Sequence, residues 1–397
     1  MEGRSRLRGE RPNTPHPVDA PARIRQRGRP MSSSPAFRPA WWLRNPHAQT
    51  FAGRYLRSRA AFPLERRRIG TPDGDFLDLD QAPAPAPGAP VVVLLHGLEG
   101  SARRGYMSEM FHHLFVRGLR GVGMNFRGCG GEPNRVPRFY HSGETGDLAH
   151  VVAELSARHP GCPIGAAGFS LGGNVLLKHL GERGHDSGLA AAVAVSVPYD
   201  LAGCAARLSG GLAGRTYGSH FLRALKRKVR AKRGLLEGAV DVERVLAART
   251  LIDYDDALTA PLHGFAGADD YYDRADARRH LADIRVPTLL VQSRDDPFLR
   301  EGTIPEAEAA ANPHLTAAIT DRGGHLGFVE GAFPWRRRFW AERTAAEFLA
   351  GHLRPRRPEG EHRLNSRPVA SVPSLQEVPA DQPVHVPGQR LAGPFRV

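Results

Sequence analysis

The sequence predicts an α/β protein, a mostly parallel, doubly wound sheet with helices on its faces. Three observations carry this expectation. Apolar runs of strand length alternate with stretches whose apolar residues recur at helical spacing. One strand-to-helix junction is Gly168-Phe169-Ser170-Leu171-Gly172-Gly173, a serine in a turn of small residues. Two later strands end in loops that hold Asp295-Asp296 and His325. In an open α/β sheet, reactive groups gather where strands end and loops begin.

The elements follow in order. Residues 1–36 are rich in Arg, Pro and Gly, with no apolar periodicity, so a disordered basic extension is expected. A nucleic-acid arm and a transit peptide are the alternatives for it. Prolines interrupt the amphipathic helix a transit peptide needs, and residues 1–30 are read as catalytically silent, with Met31 opening an ordinary start. The ordered domain is expected over residues 37–353. Trp41 to Thr50 mixes aromatic and polar residues and is expected to pack on a core. Arg66 to Asp80 alternates around Pro72-Asp73-Gly74-Asp75, a β-hairpin. Residues 81–90 are a stiff Pro-rich loop.

Val91–Leu95 is continuously apolar, as in the middle of a parallel sheet. Ser108 to Val116 is expected as a helix, Gly121 to Phe126 as a strand and Leu148 to Ala157 as a helix. Pro163 to Ala167 leads into the serine turn, and Asn174 to Leu180 continues as helix. Ala190 to Val197 is a further buried strand. Residues 200–283 break the rhythm with helical stretches, and an insertion here is expected to form a lid. Thr288–Val291 and Leu315–Ile319 complete the strands. Trp335 to Leu349 is expected as the last helix. Residues 354–397 are Pro-rich and expected to be disordered.

Composition narrows the class. The formal charge is +14, from 55 basic against 41 acidic residues. Much of the excess lies in the N-terminal tail and in Phe221–Arg233, so no nucleic-acid partner is expected. The basic run is first a solvated helix face; contact with anionic lipid headgroups is the sharper reading. Cys129, Cys162 and Cys204 form no metal pair and no disulfide framework, which fits a reducing, cytoplasmic setting. No apolar run approaches the roughly 20 residues that span a bilayer. His112-His113 point apart on a helix, and no H-E-x-x-H, Walker or dinucleotide glycine motif occurs, so neither metal nor cofactor is expected.

Gly168-x-Ser170-x-Gly172 is a nucleophile-elbow pattern. A sharp turn lifts the serine hydroxyl off the sheet, and small neighbours allow strand and helix to approach closely. The hydroxyl is a poor nucleophile at neutral pH. It needs a base, and the base needs an acid to fix its tautomer. Ser170, then the Asp295-Asp296 pair, then His325 supply these in the order this fold uses. After the strand come a small residue, two variable ones, the acid, one more and an apolar residue. That register puts the acid at Asp296. The backbone N–H groups of Leu98, in His96-Gly97-Leu98, and of Leu171 are expected to hold an oxyanion. His96 is expected to brace that loop, and His47 and His141 to make structural hydrogen bonds.

Further stretches carry a resemblance. They are Asn45 to Thr50, His96 to Ser101, Asn125 to Asn134, His141 to Thr145, Gly168 to Asn174, Asp295 to Phe298 and Gly323 to Phe328. Together they resemble the YheT-like branch of the α/β-hydrolase superfamily, related to abhydrolase-domain phospholipases and fungal medium-chain ethyl-ester synthases. The resemblance implies an α/β-hydrolase fold and an esterase or acyltransferase with Ser170, Asp296 and His325 as triad. Ala48 departs from the pattern, where a larger apolar residue is usual. The N-terminal membrane anchor of the eukaryotic relatives has no counterpart in these residues.

The expected function is hydrolysis of short- to medium-chain carboxylic esters through an acyl-enzyme, the partner being a small ester or lipid substrate. Alcohol O-acyltransfer and phospholipase action share the same chemistry up to the acyl-enzyme. A lipid- or nucleic-acid-binding protein on a hydrolase scaffold is the non-enzymatic alternative, and such a scaffold has no need of all three triad residues.

Overall fold

Val91–Leu95 (β3) has no polar side chain, and its residues alternate between two cores. Val91, Val93 and Leu95 join one, and Val92 and Leu94 the other. A strand buried on both faces belongs to the interior of a sheet covered on both sides. The computed structural model describes residues 36–57 and 62–353. The expected N-terminal extension, apart from Ala36, and the C-terminal tail lie outside the described residues. Around β3 run β1 (Glu65–Gly70), β2 (Phe76–Gln81), β4 (Arg120–Asn125), β5 (Ile164–Phe169), β6 (Ala191–Val195), β7 (Thr288–Ser293) and β8 (Leu315–Thr320). Their order is β1-β2-β4-β3-β5-β6-β7-β8. The hairpin strand β2 pairs antiparallel with β1 and with β4, and all pairs from β4 to β8 are parallel.

Helices cover both faces. The first helix, α1 (Pro46–Tyr55), precedes the sheet; α2 (Gly105–Phe115), α3 (Gly146–Arg158) and α4 (Leu171–Arg183) alternate with the strands. The last helix spans Trp340–Leu353 and packs with α2 in one core, while α3 and α4 bury their apolar faces in the other. A buried cation ties the hairpin to the sheet. Arg127 donates to both oxygens of Asp147 at 2.8 and 2.7 Å, and to Asp73 and Asp75 at 2.8 and 3.0 Å. Three carboxylates around one guanidinium fix the hairpin turn, the end of β4 and the start of α3 together.

Between β6 and β7 the regular elements are all helical: α5 (Leu201–Ser209), α6 (Gly211–Ala213), α7 (Ser219–Ala231), α8 (Arg233–Leu236), α9 (Val242–Ala247), α10 (Leu251–Tyr254), α11 (Ala260–His263) and α12 (Ala268–Ala275). Two wider helical turns, Gly214–Gly218 and Asp255–Thr259, interrupt it. These helices bury two apolar clusters of their own, the smaller one formed by α5 and α12. Two helix expectations need correction. The helix expected from Ser108 begins at Gly105, because Tyr106 and Met107 already pack inward. The helix expected from Trp335 begins only at Trp340. Arg338 and Phe339 instead pair as a short strand with Val329 and Glu330, and Trp335 is 74% exposed. No helix among the described residues is long and apolar enough to cross a membrane.

Candidate active site

Ser170 sits between the end of β5 and the first turn of α4. Its backbone is strained, at φ 54° and ψ −121°. The turn closes because its neighbours are glycines. A Cβ on Gly168 would lie 2.3 Å from the Gly172 carbonyl oxygen, and one on Gly172 would lie 2.6 Å from that of His96. Only glycine tolerates such approaches. The serine N–H donates to Val195 O at 2.8 Å, which fixes the turn to β6. The hydroxyl is left facing a cavity.

His325 Nε2 lies 3.0 Å from Ser170 Oγ, and His325 Nδ1 lies 2.8 Å from Asp296 Oδ2. Asp296 is held from two more sides. Phe298 N–H donates to its Oδ1 at 2.9 Å and Gln292 Nε2 to its Oδ2 at 3.2 Å. The Phe298 ring stacks on the His325 ring at 4.0 Å. Asp295 turns elsewhere. Its Oδ1 accepts the Gly324 N–H at 2.8 Å, and burial raises its pKa. Arg294 pairs with Glu306 and approaches Asp321 at 3.5 Å. So the structure brings Ser170, Asp296 and His325 together and places Asp295 as a brace of the histidine loop.

The loop carrying Leu98 is pinned residue by residue. His96 is buried and keeps a pKa of about 3; its Nδ1 donates to Gly97 O at 2.7 Å, and its Nε2 accepts the Phe126 N–H at 3.2 Å. Gly97 N–H donates to Tyr106 Oη at 2.9 Å and Glu99 N–H to Tyr140 Oη at 2.8 Å. The N–H groups of Leu98 and Leu171 donate to nothing among the described residues. Both residues line the cavity with Ser170 and His325.

Some supporting residues were not legible as such. Asn45 caps α1, accepting from His47 and Ala48 N–H at 2.9 and 3.2 Å, with Pro46 opening the helix. This aims Gln49 and Thr50 at the histidine loop. Thr50 Oγ1 accepts the His325 N–H at 2.9 Å. Gln49, fully buried, accepts from Val329 N–H at 2.9 Å and donates to Leu43 O at 2.9 Å. Residue by residue, the segment had shown only that it packs on a core. Gln49→Leu leaves these buried partners unpaired, at about 1–3 kcal/mol each. We expect a fall in melting temperature of several degrees and a kcat on a soluble ester about tenfold lower. Unchanged melting and turnover would refute this role for Gln49.

The cavity measures ≈ 1010 Å³, part of it open to solvent. The helices between β6 and β7 supply most of its wall, including Leu208, Phe221, Leu225, Leu251 and Leu258. Sequence reading expects a lid here, and reads Phe221 and Leu225 only as part of a basic helix, not as cavity wall. A few polar groups interrupt the apolar wall. Asp255 lines it with a pKa raised to about 6 by burial, its oxygens accepting from Thr259 and Tyr272 hydroxyls at 2.7 Å each.

Among the described residues, His141, Glu144 and His263 bring potential metal-ligand atoms within 4.8 Å of one another. His141 and Glu144 are already engaged, whereas His263 Nε2 has no hydrogen-bond partner among the described residues. His141 Nδ1 accepts the Gly143 N–H at 3.1 Å, so the neutral ring carries its proton on Nε2. Glu144 accepts from Arg138 and from Gly146 N–H. Burial lowers the two histidines to about 3 and about 4. A protonated ring nitrogen beside an arginine is a poor cation ligand. We read His141 and Glu144 as a hydrogen-bonded brace against which the His263 ring packs at 4.4 Å. His47 Nδ1 lies 3.2 Å from Tyr217 Oη, tying α1 to the helical insertion.

A strained serine between glycines, with a histidine and a buried carboxylate in line, defines the class. The chain belongs to the alpha/beta hydrolase fold family, whose model matches residues 90–332. Within the family it lies in the YheT-like branch. It is 37% identical over 329 residues to the YheT protein of Escherichia coli (strain K12), covering 81% of this chain and 95% of that one. It is also 31% identical over 320 residues to a Mus musculus protein named phospholipase ABHD3, covering 79% and 78%.

Proposed function

We propose that Ser170 attacks the carbonyl of a carboxylic ester, with His325 as general base and then acid, and Asp296 holding its tautomer. The protein is a carboxylic ester hydrolase. The observation that carries the proposed mechanism is the continuous line Ser170 Oγ, His325 Nε2, His325 Nδ1 and Asp296 Oδ2, with steps of 3.0 and 2.8 Å at its two hydrogen bonds. The hydroxyl proton passes to Nε2 as Oγ bonds to the carbonyl carbon. The resulting oxyanion takes the N–H groups of Leu98 and Leu171, which have no competing acceptor among the described residues. Collapse expels the alcohol, which takes the proton from Nε2. Water then repeats the sequence on the acyl-enzyme and releases the acid.

The apolar cavity supports a short- to medium-chain acyl group, and the phospholipase named among the relatives keeps lipid esters within the substrate class. The test is covalent. A fluorophosphonate probe mimics the ester carbonyl and leaves a stable adduct on an activated serine. Peptide mapping should place that adduct on Ser170 with near-stoichiometric yield. An unlabelled Ser170 in folded protein would overturn the reading.

A further inference from the structure

Catalysis does not account for one surface that connects to the site through a line of rings. On α1, Phe51 and Tyr55 are 40% and 62% exposed and stack on each other at 6.5 Å. Phe51 packs on Tyr217 at 5.2 Å, Tyr217 on Phe298 at 4.9 Å, and Phe298 on His325 at 4.0 Å. An unbroken line of rings therefore runs from solvent to the histidine of the site. Leu212, 64% exposed, lies one helical turn before Tyr217.

Cations surround these apolar side chains. Arg54, Arg215 and Arg223 are exposed and form no ion pair among the described residues. Neither α1 nor residues 201–236 contain an Asp or Glu. Arg54 donates to His220 Nε2 at 3.1 Å, which joins α1 to α7 in one face. The pKa of His220 is lowered by burial first, then by Arg54, Arg223, Arg104 and Arg227. The potential over this face is positive. On the opposite side α7 is anchored: Lys228 Nζ donates to Glu99 Oε1 at 2.6 Å, next to Leu98.

We propose that this face, built from Phe51, Arg54, Tyr55, Leu212, Arg215 and Arg223, docks the protein on an anionic lipid bilayer. Exposed aromatic and aliphatic side chains among arginines match the boundary between headgroups and acyl chains. Docking there sets the bilayer at the outer end of the line of rings that reaches His325. Duplex nucleic acid would be served by the arginines but not by the exposed Leu212. The proposal stands on this surface and is read as binding, separately from turnover.

The experiment is sedimentation of the full chain with vesicles of phosphatidylcholine, with and without phosphatidylserine. Wild type should partition about tenfold or more better into the anionic vesicles, and added salt should erase the preference. Arg54→Glu, Arg215→Glu and Arg223→Glu together should lower that partition by at least about a hundredfold. Tyr55→Ser with Leu212→Ser should weaken binding to both vesicle types. Turnover of a water-soluble ester should persist in both variants, so that a loss of binding is not a loss of folding. Should the triple reversal fail to fold, Arg54→Gln with Arg223→Gln should still cost about tenfold. Equal partition into both vesicle types, or variants that bind like wild type, would overturn the proposal. So would retention on duplex DNA with none on vesicles.

Discussion

Ser170→Ala should lower kcat on a p-nitrophenyl ester by about 10⁵–10⁶ while the fold stays intact. The size of the loss follows from what the residue does in the proposed mechanism: without Oγ no acyl-enzyme forms, and the remaining groups have nothing to activate. The oxyanion N–H groups and the cavity remain, so a residual acceleration of about 10³ over water is expected. Folding should survive because, among the described residues, the Ser170 hydroxyl has only His325 Nε2 as hydrogen-bond partner, while its N–H bond to Val195 O is backbone and remains. Alanine keeps the same φ of 54°, so the strain is neither added nor relieved. Melting within about a degree or two of wild type, with fluorophosphonate labelling gone, is the expected pair of results. Turnover above about a hundredth of wild type would mean that another residue attacks the ester.

That strain is not isolated. Among the described residues, non-glycine positions with positive φ are Glu99, Ser170, Ser196, Leu326 and Phe328. All five lie in the loops that carry or brace the site. Ser196 Oγ accepts the Leu326 N–H at 3.1 Å, and Glu99 follows Leu98 in the pinned turn. Such backbone costs about 1–3 kcal/mol per residue and persists only where surroundings over-determine it. Here the surroundings are the glycine-lined elbow, the caps on α1 and the buried tyrosines.

The sequence made the elbow legible because its constraint is local. A serine that must turn sharply between strand and helix needs glycines within two residues, and those are visible in one line of text. The strands were legible because residues buried on both faces leave a continuous apolar run, as in Val91–Leu95. The helical insertion was visible only as a break in rhythm. Its cavity wall depends on which faces of many short helices meet, and no local periodicity encodes that. Gln49 and Thr50 stayed silent for a similar reason. Their partners, Val329 and His325, lie far along the chain. Trp335 misled because aromatic and arginine residues before a helix look helical, while pairing of Phe339 with Val329 decided the backbone.

The second large effect separates two adjacent carboxylates. Asp296→Asn should lower kcat by about 10⁴, while Asp295→Asn should keep measurable turnover. Asp296 Oδ2 faces His325 Nδ1 at 2.8 Å, and Gln292 and Phe298 donate to the same carboxylate. As asparagine, the side chain has one acceptor instead of two. Either its amide N–H₂ faces the ring and drives the proton to Nε2, or it gives up the Phe298 N–H. In the first case Nε2 no longer accepts the serine proton; in the second the loop after β7 loses its anchor. Asp295 is different in kind. Its carboxylate accepts from loop groups, Gly324 N–H at 2.8 Å first among them, and an asparagine keeps an acceptor oxygen for that bond. The cost there is small adjustment of the histidine loop, about tenfold at most. Measured kcat values for the two variants at one pH, on one soluble ester, decide it. If the larger loss falls on Asp295→Asn, the carboxylate that serves His325 in solution is not the one 2.8 Å from its Nδ1.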